Sequence, residues 1–363
     1  MSIRATLTVL RAAGMAGVPV LLWGPPGEGK SSLIETLGRI DRAHTEVVIG
    51  SLREPADFAG LPVIQRDGSV ALAPPRWARN LVDAGGGYLF LDELTTASPA
   101  VQAAMLRVAK DKVVGDLALP SATRIIAAAN PIDVAAGGWE LEPPTANRFL
   151  HLSFTADLDT WTEGMAAGFE AVTARLGGDE LPSGDEADLA RATALVVGFL
   201  HARPTLFSDC PTDPTQSGRA WPSPRTWTYL REVLARLPEA DLDAMQLAAC
   251  GLVGDKAAVE LLTWMRHSDL PEPGLILDGS IAFDPHDRAD RVFAVLTGVV
   301  TVAVSRGGVD DWTRAWELLA QVQADVAAGP ARTLLSARPA GASVPDTVLR
   351  FEPALRNAGL LGP

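Results

Sequence analysis

The segment GPPGEGKSS, residues 24–32, directly follows an apolar run ending in Leu21, Leu22 and Trp23. It satisfies the pattern GxxxxGK[ST], which requires a strand to enter the loop and a helix to leave it. Glycines let the backbone curl so that its N–H groups face phosphate oxygens, and the helix N-terminus adds its own donors. Lys30 can reach the β and γ oxygens, and Ser31 can hold a magnesium ion. The stretch Gly24, Pro25, Pro26, Gly27, Glu28, Gly29, Lys30, Ser31 and Ser32 therefore reads as a phosphate cradle. Lys30 is one of only four lysines in the chain, which suits a position that needs a lysine in particular.

The surroundings of the loop repeat the same alternation. Apolar, β-rich runs recur at 19–23, 46–51, 87–91, 124–129 and 149–154, with helical patterns between them at 30–40, 76–84 and 99–110. Ser98 as N-cap and Pro99 in the first turn open the last of these. Strand and helix in alternation predict a parallel α/β sandwich. Two hairpins interrupt it. In 61–73, short apolar stretches flank Asp67-Gly68, a favoured two-residue turn, and 112–120 pivots on Gly115-Asp116. After residue 155 apolar residues fall at helical spacing, as in Leu189, Val196, Phe199 and Leu200, then Trp227, Leu230, Leu234 and Leu237. Loops rich in Gly, Pro and Asp at 177–188, 203–224 and 270–290 are expected as boundaries. This divides the chain into an α/β domain over 1–155, a helical domain over 156–270 and a helical extension over 271–363.

Five further residues complete a candidate site. YLFLDEL, residues 88–94, is an apolar strand ending in two carboxylates. The pleat points neighbours differently, so Asp92 can face the metal held by Ser31 while Glu93 orients and deprotonates water. Asn130 ends RIIAAAN and brings a neutral amide to a strand tip, where it can hydrogen-bond a γ-phosphate. Arg148 precedes the fifth strand, at a surface position suited to an arginine inserted into a neighbouring subunit. In WPSPRTW, residues 221–227, Ser223 caps a helix with Arg225 in its first turn, a placement that opposes the helix dipole and favours an approaching anion.

Charge excludes several classes. The chain carries 31 basic and 44 acidic residues, and the surplus lies in 151–363, which holds 17 basic against 29 acidic. A general nucleic-acid binder needs the opposite sign. Cys210 and Cys250 are too few for a disulfide framework and belong to no metal-ligand pattern. The N-terminal segment lacks a long apolar core with a cleavage site, and the longest apolar run, 292–304, is too short for a bilayer, so a cytoplasmic protein is expected. Trp312 and Trp316, four apart on a helical pattern, read as core.

Taken in order and spacing, these motifs resemble the AAA+ ATPases, and in detail the MoxR-like branch. GPPGEGKSS resembles Walker A, YLFLDE Walker B, Asn130 sensor 1, Arg148 the arginine finger and Arg225 sensor 2. REPADFAGLPV, residues 53–63, with the following hairpin resembles the helix-2 insert of that branch. The resemblance covers about 10–270. It implies a P-loop NTPase sheet with helices on both faces, followed by a helical lid and a C-terminal extension. ATP and Mg²⁺ would bind between subunits of a homo-oligomeric ring, commonly a hexamer, which remodels a partner protein, often one with a von Willebrand A domain. Thr95-Thr96 stand where many relatives carry Asn-Arg. Two other readings compete: a nucleotide-gated scaffold that scarcely hydrolyses ATP, and a nucleic-acid-directed NTPase motor. Glu93 and Arg148 favour hydrolysis over the scaffold, and the acidic C-terminal half disfavours the motor.

Overall fold

A computed structural model describes residues 2–131, 141–176 and 180–357. The boundary expected from 177 thus begins outside the described residues. Helix α1 (Ile3–Met15) precedes β1 (Val20–Trp23), and α2 (Lys30–Ile40) leaves the phosphate loop. Strand β2 (Thr45–Ile49), α3 (Ala56–Ala59), the hairpin β3 (Leu61–Ile64) and β4 (Val70–Ala73), and α4 (Arg76–Asp83) lead to β5 (Gly87–Asp92). Then come α5 (Pro99–Asp111), the hairpin β6 (Val113–Val114) and β7 (Leu117–Ala118), β8 (Thr123–Ala129), α6 (Pro143–Ala146) and β9 (Leu150–Ser153). The rest is helical: α7 (Leu158–Ala167), α8 (Phe169–Leu176), α9 (Glu186–Ala202), α10 (Pro214–Ser217), α11 (Pro224–Leu234), α12 (Leu242–Ser268), α13 (Pro273–Leu277), α14 (Ala289–Arg306), α15 (Val309–Leu319), α16 (Ala324–Ser336) and α17 (Glu352–Asn357).

Five strands form one sheet in the order β2-β5-β8-β1-β9, all pairs parallel. Every residue of β1 is buried, as expected of a strand covered on both faces. Alternation assigns Leu21 and Trp23 to the same core as Leu89, Leu91, Ile125, Ala127 and Ala129, closed by Val101, Met105 and Val108 of α5. Leu33, Ile34 and Leu37 form the buried stripe of α2. The α/β sandwich expected from the sequence is present. Helix α1, buried through Leu7, Val9 and Leu10, was not anticipated.

Both hairpins form, with one correction. The Asp67-Gly68 turn is not a two-residue type I′ turn, because only Gly68 of the pair has positive φ. Gly68 N–H donates to Gln65 C=O and Gln65 N–H to Ser69 C=O, a turn followed by a left-handed glycine that lengthens the loop. Of the pair Gly115-Asp116 at the tip of the second hairpin, only Gly115 is left-handed, at φ 59°, which fits the two-residue type II′ turn. The hairpins touch: the Asp116 carboxylate accepts from Leu72 N–H at 3.2 Å.

Compactness cuts the chain into two units, Met1–Leu181 with Asp209–Lys256, and Pro182–Ser208 with Ala257–Pro363. The cut inside α12 falls next to Gly254, whose φ of 75° interrupts the helix. The second unit has its own core, in which Trp312 and Trp316 pack edge to face and Trp316 meets Phe351. Two stretches expected as loops contain short helices, α10 and α13. Each starts at a proline, whose fixed φ suits a first helical turn. Cys210 and Cys250 are free, and Cys210 is exposed. No helix among the described residues is long and apolar enough to cross a membrane, and none of their side chains form a His/Cys/Asp/Glu cluster of metal-binding type.

Candidate active site

The phosphate loop is shaped by what surrounds its glycines. A Cβ on Gly24 would lie 2.3 Å from the Phe154 carbonyl oxygen, so the end of β9 can pass only against glycine. Gly29, left-handed at φ 85°, is the N-cap of α2, and a Cβ there would meet nothing within 4 Å. The space beside the loop is open. Lys30 is buried, and its ammonium donates to Gly24 C=O at 2.7 Å, Pro25 C=O at 2.9 Å and Asn130 Oδ1 at 3.0 Å. Burial lowers its pKa below the ordinary lysine value, opposed by the charges of Asp92 and Glu28. Two residues a hundred positions apart are thus brought to one point. Glu28 turns away from the cradle, its carboxylate accepting from Ala156 N–H at 2.6 Å.

Ser31 Oγ donates to Asp92 Oδ2 at 3.1 Å. These are hard oxygen donors of the kind Mg²⁺ takes, and with the open cradle they fit a magnesium nucleotide. Asp92 Oδ1 accepts from Glu93 N–H at 2.8 Å. The direction of Glu93 needs a different account from the pleat. The strand ends at Asp92, and Glu93 is left-handed at φ 57°, a conformation that costs a non-glycine residue about 1–3 kcal/mol and concentrates at functional sites. That turn carries its carboxylate to the end of the neighbouring strand, where Ser51 Oγ donates to Glu93 Oε2. Ser51 was not singled out from the sequence. Its signal is topological, since β2 pairs with β5 and Ile49 lies opposite Asp92.

Beside the loop opens a cavity of about 690 Å³, walled by Gly27, Gly29, Ser32 and Thr36 and by the apolar Leu7, Leu33 and Trp161. Its volume suits a small-molecule ligand with one apolar face. Residues 19–149 match the AAA domain of the dynein-related subfamily. The phosphate loop belongs to an AAA+ P-loop domain. No curated protein matches the chain. The crystal structure of a candidate ATPase from Cytophaga hutchinsonii is 15% identical, with 71% of this chain and 79% of that chain covered and a TM-score of 0.43.

The remaining candidates, Arg148 and Arg225, lie toward the other end of the sheet. Val20 pairs with Leu150 and Trp23 with Ser153, so Arg148 precedes the strand end opposite to the one from which the P-loop leaves. Four residues of strand interpose about 13 Å. The Arg148 Nη1 donates to Pro144 C=O at 2.7 Å, while its Nε is buried without a partner. Arg225 is exposed and points its Nη1 to Asn147 Oδ1 at 3.4 Å. The sequence places Arg225 where an anion approaches, and the fold puts it against Asn147, the residue before Arg148. Its helix starts with a full capping box between Ser223 and Thr226.

Asn147, only 5% exposed, holds the start of α11 against the turn that carries Arg148. It accepts from Ser223 Oγ at 2.9 Å and donates to Trp221 C=O at 3.4 Å. His151 and Arg219 were also missed. The Arg219 guanidinium lies 3.6 Å over the centre of the Trp23 ring, and the His151 ring lies edge to edge with the same indole, with 12° between planes and centroids 6.1 Å apart. A lone asparagine, histidine or arginine carries no motif, and their partners are far away in sequence.

Proposed function

We propose that this chain is an ATP-hydrolysing protein remodeller of the MoxR-like branch, active as a ring, with six copies as the number the resemblance implies. The observation that carries this reading is the division of the site between the two ends of one sheet. Lys30, Ser31, Asp92, Glu93 and Asn130 gather at the C-terminal end, and Arg148 and Arg225 at the N-terminal end. A guanidinium separated from its own P-loop by the length of β9 serves a nucleotide held by a second copy. In that copy the loop N–H groups cradle the phosphates and Lys30 neutralises them, while Ser31 and Asp92 would hold Mg²⁺, which would supply further positive charge to the phosphates. Glu93 orients the attacking water and takes its proton. Arg148 and Arg225 from the neighbour then face the charge that develops on the transferred phosphoryl group.

The remodelling part of the reading rests on the insert. Hairpin β3–β4 exposes Leu61, Ile64 and Val70, of which Ile64 is 78% exposed, and the Asp116 contact ties it to the second hairpin, whose strand β7 leads into β8 and Asn130. The partner class is a protein substrate, with a von Willebrand A domain protein as the one the resemblance implies. The experiment is wild-type ATPase activity as a function of protein concentration. Turnover per molecule rises with concentration and reaches a plateau as copies assemble. Turnover per molecule that stays constant down to concentrations where only monomer exists contradicts the shared site.

A further inference from the structure

The turn that carries Arg148 is joined to the strand that enters the P-loop by one side chain, His151. The indole Nε1–H of Trp23 donates to His151 Nδ1 at 2.9 Å, and His151 Nε2 lies 2.8 Å from the Ala146 carbonyl oxygen. An indole N–H can only donate, so Nδ1 is the acceptor and Nε2 carries the proton given to Ala146. Burial lowers the His151 pKa from 6.5 to about 4, with the nearby Arg219 charge acting in the same direction, so this single neutral tautomer persists at neutral pH. Trp23 is the residue before Gly24, and Ala146 ends α6 two residues before Arg148. On the far side of the same turn Asn147 is held by Trp221 and Ser223.

We propose that His151 is a positioning residue for Arg148, fixing the turn that presents the arginine to a neighbouring copy against the strand that holds its own subunit's P-loop. This rests on the shared-site reading above. The geometry gives the histidine both partners needed: one hydrogen bond fixes its ring to β1, the other fixes the last carbonyl of α6. A phenylalanine fills much of the same space and makes neither bond. The arginine then loses part of its placement, while Lys30, Ser31, Asp92 and Glu93 keep theirs.

The test is a double-mutant cycle read in kcat and KM. His151→Phe lowers kcat about ten- to a hundredfold, the scale of a misplacement of about 1 Å, and leaves KM for ATP within about twofold. In an Arg148→Ala background the same substitution lowers kcat no further, because no arginine remains to be misplaced. His151→Gln, whose amide can accept from Trp23 and donate to Ala146, restores most of the loss. Should His151→Phe fail to fold, as judged by its thermal transition, Trp23→Phe removes the indole donor and repeats the cycle. A full further loss in the Arg148→Ala background, or a raised KM with kcat unchanged, overturns the proposal and makes His151 a part of its own P-loop. If Arg148→Ala itself leaves kcat unchanged, the shared-site reading fails first, and the role of His151 falls with it.

Discussion

The two ends of the central sheet treat their polar groups differently. At the C-terminal end each group answers another: Lys30 meets Asn130, Ser31 meets Asp92, and Ser51 meets Glu93. At the N-terminal end Arg148 and Arg225 meet only neutral oxygens, the Pro144 carbonyl and the Asn147 amide. Neither guanidinium has a carboxylate partner among the described residues. An exposed arginine in the first turn of α11 also opposes the helix dipole. The difference teaches that the first end is complete enough to bind a nucleotide, whereas at the second the two arginines stay outside any direct ion pair among the described residues.

Substitutions at the two ends should therefore fail in different ways. Lys30→Ala removes the charge that faces the phosphates, and calorimetric titration with ATP shows no binding and no turnover; micromolar affinity in that variant would mean the cradle is not the binding site. Glu93→Gln leaves binding as in the wild type and lowers turnover by about two to four powers of ten, the contribution of a positioned base. Single-turnover kinetics separates the two, and undiminished turnover moves the base elsewhere.

The smallest effect concerns the N-terminal end and acid. His151 is neutral when folded, with its pKa lowered from 6.5 to about 4. Between those values the unfolded chain binds the proton and the folded chain does not, so the stabilisation is present above about pH 6.5 and is lost as pH falls toward 4. Urea midpoints measured from pH 7 to pH 4.5 fall more steeply for the wild type than for His151→Phe. Equal slopes would show that the histidine finds its proton without unfolding.

What was legible in the sequence follows from how far apart the cooperating residues lie. The loop at 24–32 is contiguous, and its flanking strand and helix carry their own periodicity, so β1, α2 and the site they form could be read directly. Strand β5 and the tip of β8 followed from apolar runs with a polar end. The direction of Glu93 could not, because it depends on a left-handed residue and on Ser51, 42 positions away. The Asp67-Gly68 turn was placed correctly and typed wrongly, since turn type depends on the register that Ile64 and Val70 adopt. Asn147, His151 and Arg219 act through Ser223, Trp23 and the packing of α11 on α1, all set by tertiary structure. The second unit joins 182–208 to residues beyond 256, an arrangement that no local pattern announces.

The central claim is that Arg148 completes a site in a different copy of the chain. Arg148→Ala and Glu93→Gln proteins, each nearly inactive alone, are mixed in equal amounts and allowed to exchange, with exchange followed by a label on one of them. A junction where the Arg148→Ala copy supplies Glu93 and the Glu93→Gln copy supplies Arg148 has every group it needs. Random assembly makes about a quarter of junctions of this kind, and an arginine finger contributes about 10³ to 10⁵ in rate. The mixture should therefore recover activity to the order of a quarter of wild type, far above either variant alone. If labelled copies exchange and the mixture stays at the level of the separate proteins, Arg148 does not act across a junction, and the division of the site between the two ends of the sheet is not its working arrangement.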